Sequence, residues 1–221
     1  MDKLITQAHE LLKGTGISYA ICGGHALALF AGKKYRDNND IDITIMDCHR
    51  HKALQFLAAK GWGLYARYVD ARYIGVRSVT DRLLHLIDDP TSAEWDDCDK
   101  VSAVLPDSHA KPVLIERAGV HVFKFEEPRA AKLDYIKIVF DKPQANENAI
   151  LHANGVPYLA PELVLYIKTP EFYSLHPLHK SKTELDFKTI MPLLPSESRE
   201  WLLGAINAAY PCGHKWLMPL L

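Results

Sequence analysis

Cys22-Gly23-Gly24-His25-Ala26, followed by Asn39-Asp40-Ile41-Asp42-Ile43-Thr44-Ile45, is the stretch on which the reading of this chain turns. The glycine pair stands at the end of an apolar run and hands over to a short apolar helix. The second segment reads as a strand carrying two aspartates with one apolar residue between them. Side chains alternate faces along a strand, so Asp40 and Asp42 project from one face, their Cα atoms ~6–7 Å apart. Two carboxylates aimed at one point repel each other unless a cation sits between them. Oxygen-only ligands with room for water and phosphate suit Mg²⁺ better than zinc. The stretch therefore points to a metal-dependent site for a nucleoside triphosphate.

Composition narrows the partners. At 221 residues the chain can bury a sizeable core. Apolar residues make up 48% and charged residues 24%, ordinary for a globular protein. The net charge of −1 gives no reason to expect extended nucleic-acid binding or an anionic membrane surface. No apolar run reaches the ~18 residues of a membrane span, and the N-terminus lacks a signal-peptide profile. Cys22, Cys48, Cys98 and Cys212 are scattered and include no C-x-x-C pair. A cytoplasmic, reduced protein is the expectation.

Outward from the opening stretch, residues 2–13 carry Leu4, Ile5, Ala8, Leu11 and Leu12 at helical spacing, and Gly14 and Gly16 stop that helix. Residues 17–22 read as a buried strand, 25–31 as a short helix, 33–39 as a polar loop containing Arg36, 41–46 as the aspartate strand and 51–60 as a helix. The middle is strand-rich, with candidates at 73–76, 83–87, 111–115, 120–126 and 133–140, while 90–99 and 142–148 read as loops. From Pro157 the pattern turns helical: Pro161 opens a helix through Lys168, another spans 182–194, and a third begins at Ser196 and runs to Ala209. The expected class is α+β, of α/β type: a mixed sheet flanked by helices. The expected division is a core over residues 1–155 and a helical region over 156–221 docked on it.

The combination Gly23-Gly24-His25, Arg36 and Asp40-Ile41-Asp42-Ile43 resembles the nucleotidyltransferase superfamily, in which a glycine pair precedes a D-x-D strand. It is similar in style to the small bacterial aminoglycoside 2″-adenylyltransferases and lincosamide nucleotidyltransferases, which read G-G-W, R and D-I-D in this order. The segment 155–162, with Lys168, Lys182, Asp186-Phe187, Arg199, Trp201-Leu202, His214 and Trp216, resembles the C-terminal part of bacterial proteins of that group. The resemblance covers roughly residues 17–62 and 155–217. His25 stands where the relatives usually have Trp. The superfamily also uses a third carboxylate from a later strand. In an L-L-D stretch its place falls at Leu83-Leu84-His85, and in an F-I-E-I stretch at Tyr135-Ile136-Lys137-Ile138, so histidine or lysine replaces the acid. Asp88 and Asp134 lie near these places but out of register.

The resemblance implies Mg²⁺-dependent transfer of a nucleoside monophosphate, AMP from ATP or a corresponding group from another NTP, to a hydroxyl of a small, antibiotic-like molecule. In that scheme Asp40 and Asp42 are catalytic and hold the metal, and Gly23 and Gly24 aim backbone N–H groups at the phosphates. Arg36 pairs with the outer phosphates, Lys168 reaches the nucleotide, and His85 serves as base in place of a carboxylate. The competing reading is a nucleotidyltransferase-fold binding protein that has lost catalysis, a toxin–antitoxin component, or a protein- or tRNA-modifying relative. Asp186 reads as a helix partner of Lys182 one turn earlier. His49, His51, His176 and His179 read as surface residues, and Trp201 and Trp216 as core.

Overall fold

The computed structural model describes residues 1–38, 40–68, 83–86, 89–91, 100–108, 112–117, 120–125, 133, 135–141, 149–169 and 177–220. They fall into two compact units, Met1–Ile21 with Asn38–Ala145, and Cys22–Asp37 with Asn146–Leu221. The architecture is α+β, a mixed sheet with helices.

In the first unit, α1 (Lys3–Leu12) buries Leu4, Ile5, Ala8 and Leu12, and Asp2 caps it by accepting the Leu4 N–H at 2.9 Å. Six strands of this unit lie side by side in the order β4 (Leu83–Leu86), β3 (Gly63–Tyr68), β5 (Lys100–Val104), β8 (Tyr135–Asp141), β2 (Ile41–Met46) and β1 (Tyr19–Cys22). β2 and β8 are parallel, whereas β8–β5, β5–β3 and β3–β4 are antiparallel. The three isoleucines Ile41, Ile43 and Ile45 are fully buried, as are Val101 and Ala103 on β5. That row-by-row alternation leaves Asp42 on the other, partly exposed face of β2. Helix α3 (Arg50–Ala59) buries Ala53, Leu54 and Leu57 and packs on β2 and β3. Strands β6 (Pro112–Arg117) and β7 (Val120–Phe125) form a separate antiparallel hairpin.

The second unit is built on α2 (Gly23–Phe30), α4 (Pro161–Lys168), α5 (Pro177–Ile190) and α6 (Ser196–Ala209), with Leu27, Leu165, Ile190, Leu202 and Ile206 fully buried. Pro161 opens α4, where its missing N–H costs nothing. Ahead of α4 stands the antiparallel hairpin β9 (Ile150–Ala153) and β10 (Val156–Leu159). Its two-residue turn, Asn154-Gly155, has φ of 52° and 79°, the left-handed pair that such a hairpin requires. The sequence reading of this region as helical from Pro157 is thus corrected at its start. The candidate strand 73–76, most of the loop 90–99 and all of 142–148 lie outside the described residues. Trp216 is 3% exposed and belongs to the core, but Trp201 is 46% exposed. Trp201 sits edge-on to Tyr166, ring centroids 6.0 Å apart, instead of filling the interior.

Candidate active site

Asp40 stands immediately before β2, and Asp42 is its second residue. The parallel neighbour β8 places Lys137 in register with Asp42, and β5 places Ser102 in register with Lys137. Directly paired residues share a face, so one polar row crosses three strands, backed by the buried row Ile41, Ile136 and Ala103. The Lys137 ammonium donates to Oδ2 of Asp40, with side-chain exposures of 23% and 21%. Burial pushes the Lys137 ammonium towards its neutral form. The charges of Asp40 and Asp42, with Tyr135, outweigh that and hold its pKa above the ordinary lysine value. The lysine is positively charged at this site.

A second cluster lies wholly in the second unit. Asp186 on α5 is fully buried, on the inward stripe that also carries Thr183 and Ile190. Arg36 grips its carboxylate as a fork, Nε donating to Oδ1 at 2.5 Å and Nη2 to Oδ2 at 2.8 Å. The Tyr35 hydroxyl donates to Oδ1 at 3.0 Å, and the Lys168 ammonium lies 3.5 Å from Oδ2. Burial and then the Asp186 charge hold the Tyr35 hydroxyl well above the usual tyrosine range. A carboxylate deep in a core is tolerated only when paired and hydrogen-bonded, and here three side chains do that.

The expected site residues thus separate. Asp40 and Asp42 both act on Lys137, Asp40 through a direct bond and Asp42 through its charge. Arg36 and Lys168, expected on nucleotide phosphates, are brought together on Asp186, and Asp186 pairs with them rather than with Lys182, which is exposed. Gly23 and Gly24 begin α2, where first-turn N–H groups lack helix partners. Gly23 has φ of 63°, a conformation that favours glycine. His85 is not brought to the aspartates. It pairs with Ala66 in the row of Val101, Ile138 and Ile43, one row away from that of Asp42. Its strand is also four spacings from β2, ~19 Å at the usual strand separation. Asp88 and Asp134 lie outside the described residues.

The sequence model of the aminoglycoside-2″-adenylyltransferase family matches residues 4–131 of this chain. The chain belongs to that family. Among solved structures, ANT(2″)-Ia in complex with adenylyl-2″-tobramycin is similar over 93% of this chain and 98% of its own, at 13% identity and a TM-score of 0.52. The solution structure of the antibiotic-resistance factor ANT(2″)-Ia matches over 96% of both chains, at 13% identity and a TM-score of 0.51. The lincomycin-bound lincosamide adenylyltransferase LnuA matches 88% of this chain and 98% of its own, at 14% identity and a TM-score of 0.48. Comparison with curated proteins finds no match. At such identities the solved structures speak for the nucleotidyltransferase fold alone.

The family implies a divalent metal, and the donor set can be tested for it. Among the described residues, no group of three His, Cys, Asp or Glu side chains stands together as a metal cage. Magnesium, however, is commonly held by one or two carboxylates, with substrate phosphates and water completing its shell. Asp40 and Asp42 supply two hard oxygen donors that already attract one cation, the Lys137 ammonium. The pair fits a metal shared with phosphates. Sequence reasoning noted Lys137 as a departure from the acidic pattern but not as the partner of Asp40; the register of β8 on β2 was the missing link.

Proposed function

We propose that this adenylyltransferase-family chain binds ATP with Mg²⁺ and transfers AMP to a hydroxyl of a small antibiotic-like acceptor, of aminoglycoside type. The observation that carries the reading is the Asp40/Asp42 pair, both part-exposed and already drawing the Lys137 ammonium. In the reaction the acceptor oxygen forms a bond to the α-phosphorus, the bond from the α-phosphorus to the bridging oxygen of the β-phosphate breaks, pyrophosphate leaves with that oxygen, and the hydroxyl proton passes to water. A metal ion on Asp40 and Asp42 would supply charge neutralisation at the phosphates during that displacement. Asp40 and Asp42 would hold that ion, and the β2–β8 ladder fixes the backbone of Asp42 beside that of Lys137. Gly23 and Gly24 offer backbone N–H groups of the kind phosphate oxygens take. Arg36 and Lys168 hold the buried Asp186 within the second unit.

A second reading is favoured by Lys137. An ammonium held protonated by two aspartates takes no proton from an acceptor hydroxyl. On that ground the chain would be a nucleotide binder with slow or absent transfer. Thermal unfolding with ATP and Mg²⁺, followed by transfer of α-labelled AMP to tobramycin and pyrophosphate release, separates the two. Stabilisation with labelled product supports the enzyme; stabilisation without product supports the binder. Absence of stabilisation by ATP or any other NTP would sink both. A ligand at about 100 times its Kd raises stability by about 2.7 kcal/mol, well within reach of the measurement.

A further inference from the structure

Two carboxylates near one point repel each other, and in this chain the Lys137 ammonium, bonded to Asp40 and in register with Asp42, relieves that repulsion. Its backbone is in register with Asp42, yet its head group bonds Asp40, so the stem leans along the strands and the ammonium serves both acids. Lysine is suited to a contact that must change. Its charge is compact, its four-carbon stem rotates, and one hydrogen bond does not lock its orientation as a guanidinium fork would. Lys137 and Asp40 each keep about a fifth of their side chain in solvent, at 23% and 21%. The bond is therefore not sealed. Asp186, at 0% exposure and gripped by Arg36, shows in the same chain what a sealed pair looks like.

We propose that Lys137 is an exchangeable counter-ion at the nucleotide site, an inference that rests on reading Asp40 and Asp42 as that site. With no nucleotide, Lys137 offsets part of the charge of the aspartates and competes with free divalent ions for them. When a triphosphate and its metal are bound, the ammonium leaves Asp40 and turns to a phosphate oxygen, where it adds a positive charge to a strongly anionic ligand. Lys137 thereby makes the metal arrive with the nucleotide instead of ahead of it. The lysine in the place of an acid is then a device for ordered binding.

The two halves of this inference predict effects of opposite sign. Free Mn²⁺ binding is measured by electron paramagnetic resonance without nucleotide, and α,β-methylene-ATP binding at saturating Mn²⁺ by calorimetry. Lys137→Met and Lys137→Gln should bind free Mn²⁺ about tenfold or more tightly than wild type, since a competing charge beside the ion is gone. The same variants should bind the nucleotide analogue about tenfold or more weakly, because a phosphate contact is lost. Lys137→Arg keeps the charge and should leave free Mn²⁺ binding as weak as in wild type. Equal Mn²⁺ affinity in wild type and Lys137→Met overturns the proposal, as does a fall in both affinities together, which marks simple structural damage. If wild type binds no analogue at any Mn²⁺ level, the functional reading fails and the phosphate half falls with it. The nucleotide-free Mn²⁺ comparison still decides the counter-ion half.

Discussion

The chain carries two clusters of carboxylate and cation with opposite balances. At the β2–β8 ladder two aspartates face one ammonium, and all three side chains keep some contact with solvent. On α5 one aspartate, wholly buried, faces a guanidinium, an ammonium and a phenol. The first cluster is partly open to water; the second carries its carboxylate at 0% exposure. A buried charge that is fully paired holds a fold in register, and removing either side leaves a costly orphan. A pair that keeps about a fifth of each side chain in solvent is not sealed and can exchange partners. Function is accordingly expected at the first cluster and architecture at the second.

The sharpest way to break this comparison is Asp186→Ala. Two part-buried cations would lose their fully buried carboxylate, and we expect a loss of about 3–5 kcal/mol in urea or thermal unfolding. A loss under about 1 kcal/mol would remove the architectural role. Arg36→Lys keeps the charge but not the fork, with an expected loss of about 1–2 kcal/mol by the same measurement. Asp40→Asn, in contrast, should change stability by about 1 kcal/mol or less, because its ion pair is partly screened by water.

Alkaline pH gives a gentler test. Tyr19 has its pKa pushed up to about 12 by burial and by the charge of Glu10, and Tyr35 is displaced in the same direction. A folded-state pKa above the unfolded value means the folded chain holds the phenol proton more tightly. Stability from Tyr19 should be intact below pH ~10, the ordinary tyrosine value, and decline as pH rises through about 12. Tyr35→Phe and Tyr19→Phe should each flatten that decline in unfolding measured against pH. An unchanged slope in both would count against these buried phenols as its source.

Much of this was legible in the sequence where the evidence is local. Helical spacing marked Leu4, Ile5, Ala8 and Leu12, and alternation separates Asp42 from its strand neighbours Ile41 and Ile43, which are fully buried. The β9–β10 hairpin was also written locally, in Asn154-Gly155, a strong turn signal that the helical pattern beginning soon afterwards obscured. What the sequence hides is pairing between distant segments. Nothing near Arg36 announces Asp186, and nothing near Asp40 announces Lys137; both depend on how helices and strands come together. His85 shows the same limit. Its apolar neighbours suggested a strand, correctly, but neither its row nor its distance from β2 can be counted along the chain.

The division of labour between the clusters can be measured directly by titrating Mg²⁺ and ATP by calorimetry into wild type, Asp40→Asn/Asp42→Asn and Arg36→Lys. The account predicts binding to wild type, its loss in the double aspartate variant, and its retention in folded Arg36→Lys. Loss of binding in Arg36→Lys with retention in the aspartate variant would contradict it, and would place the phosphates on the cluster now assigned to architecture.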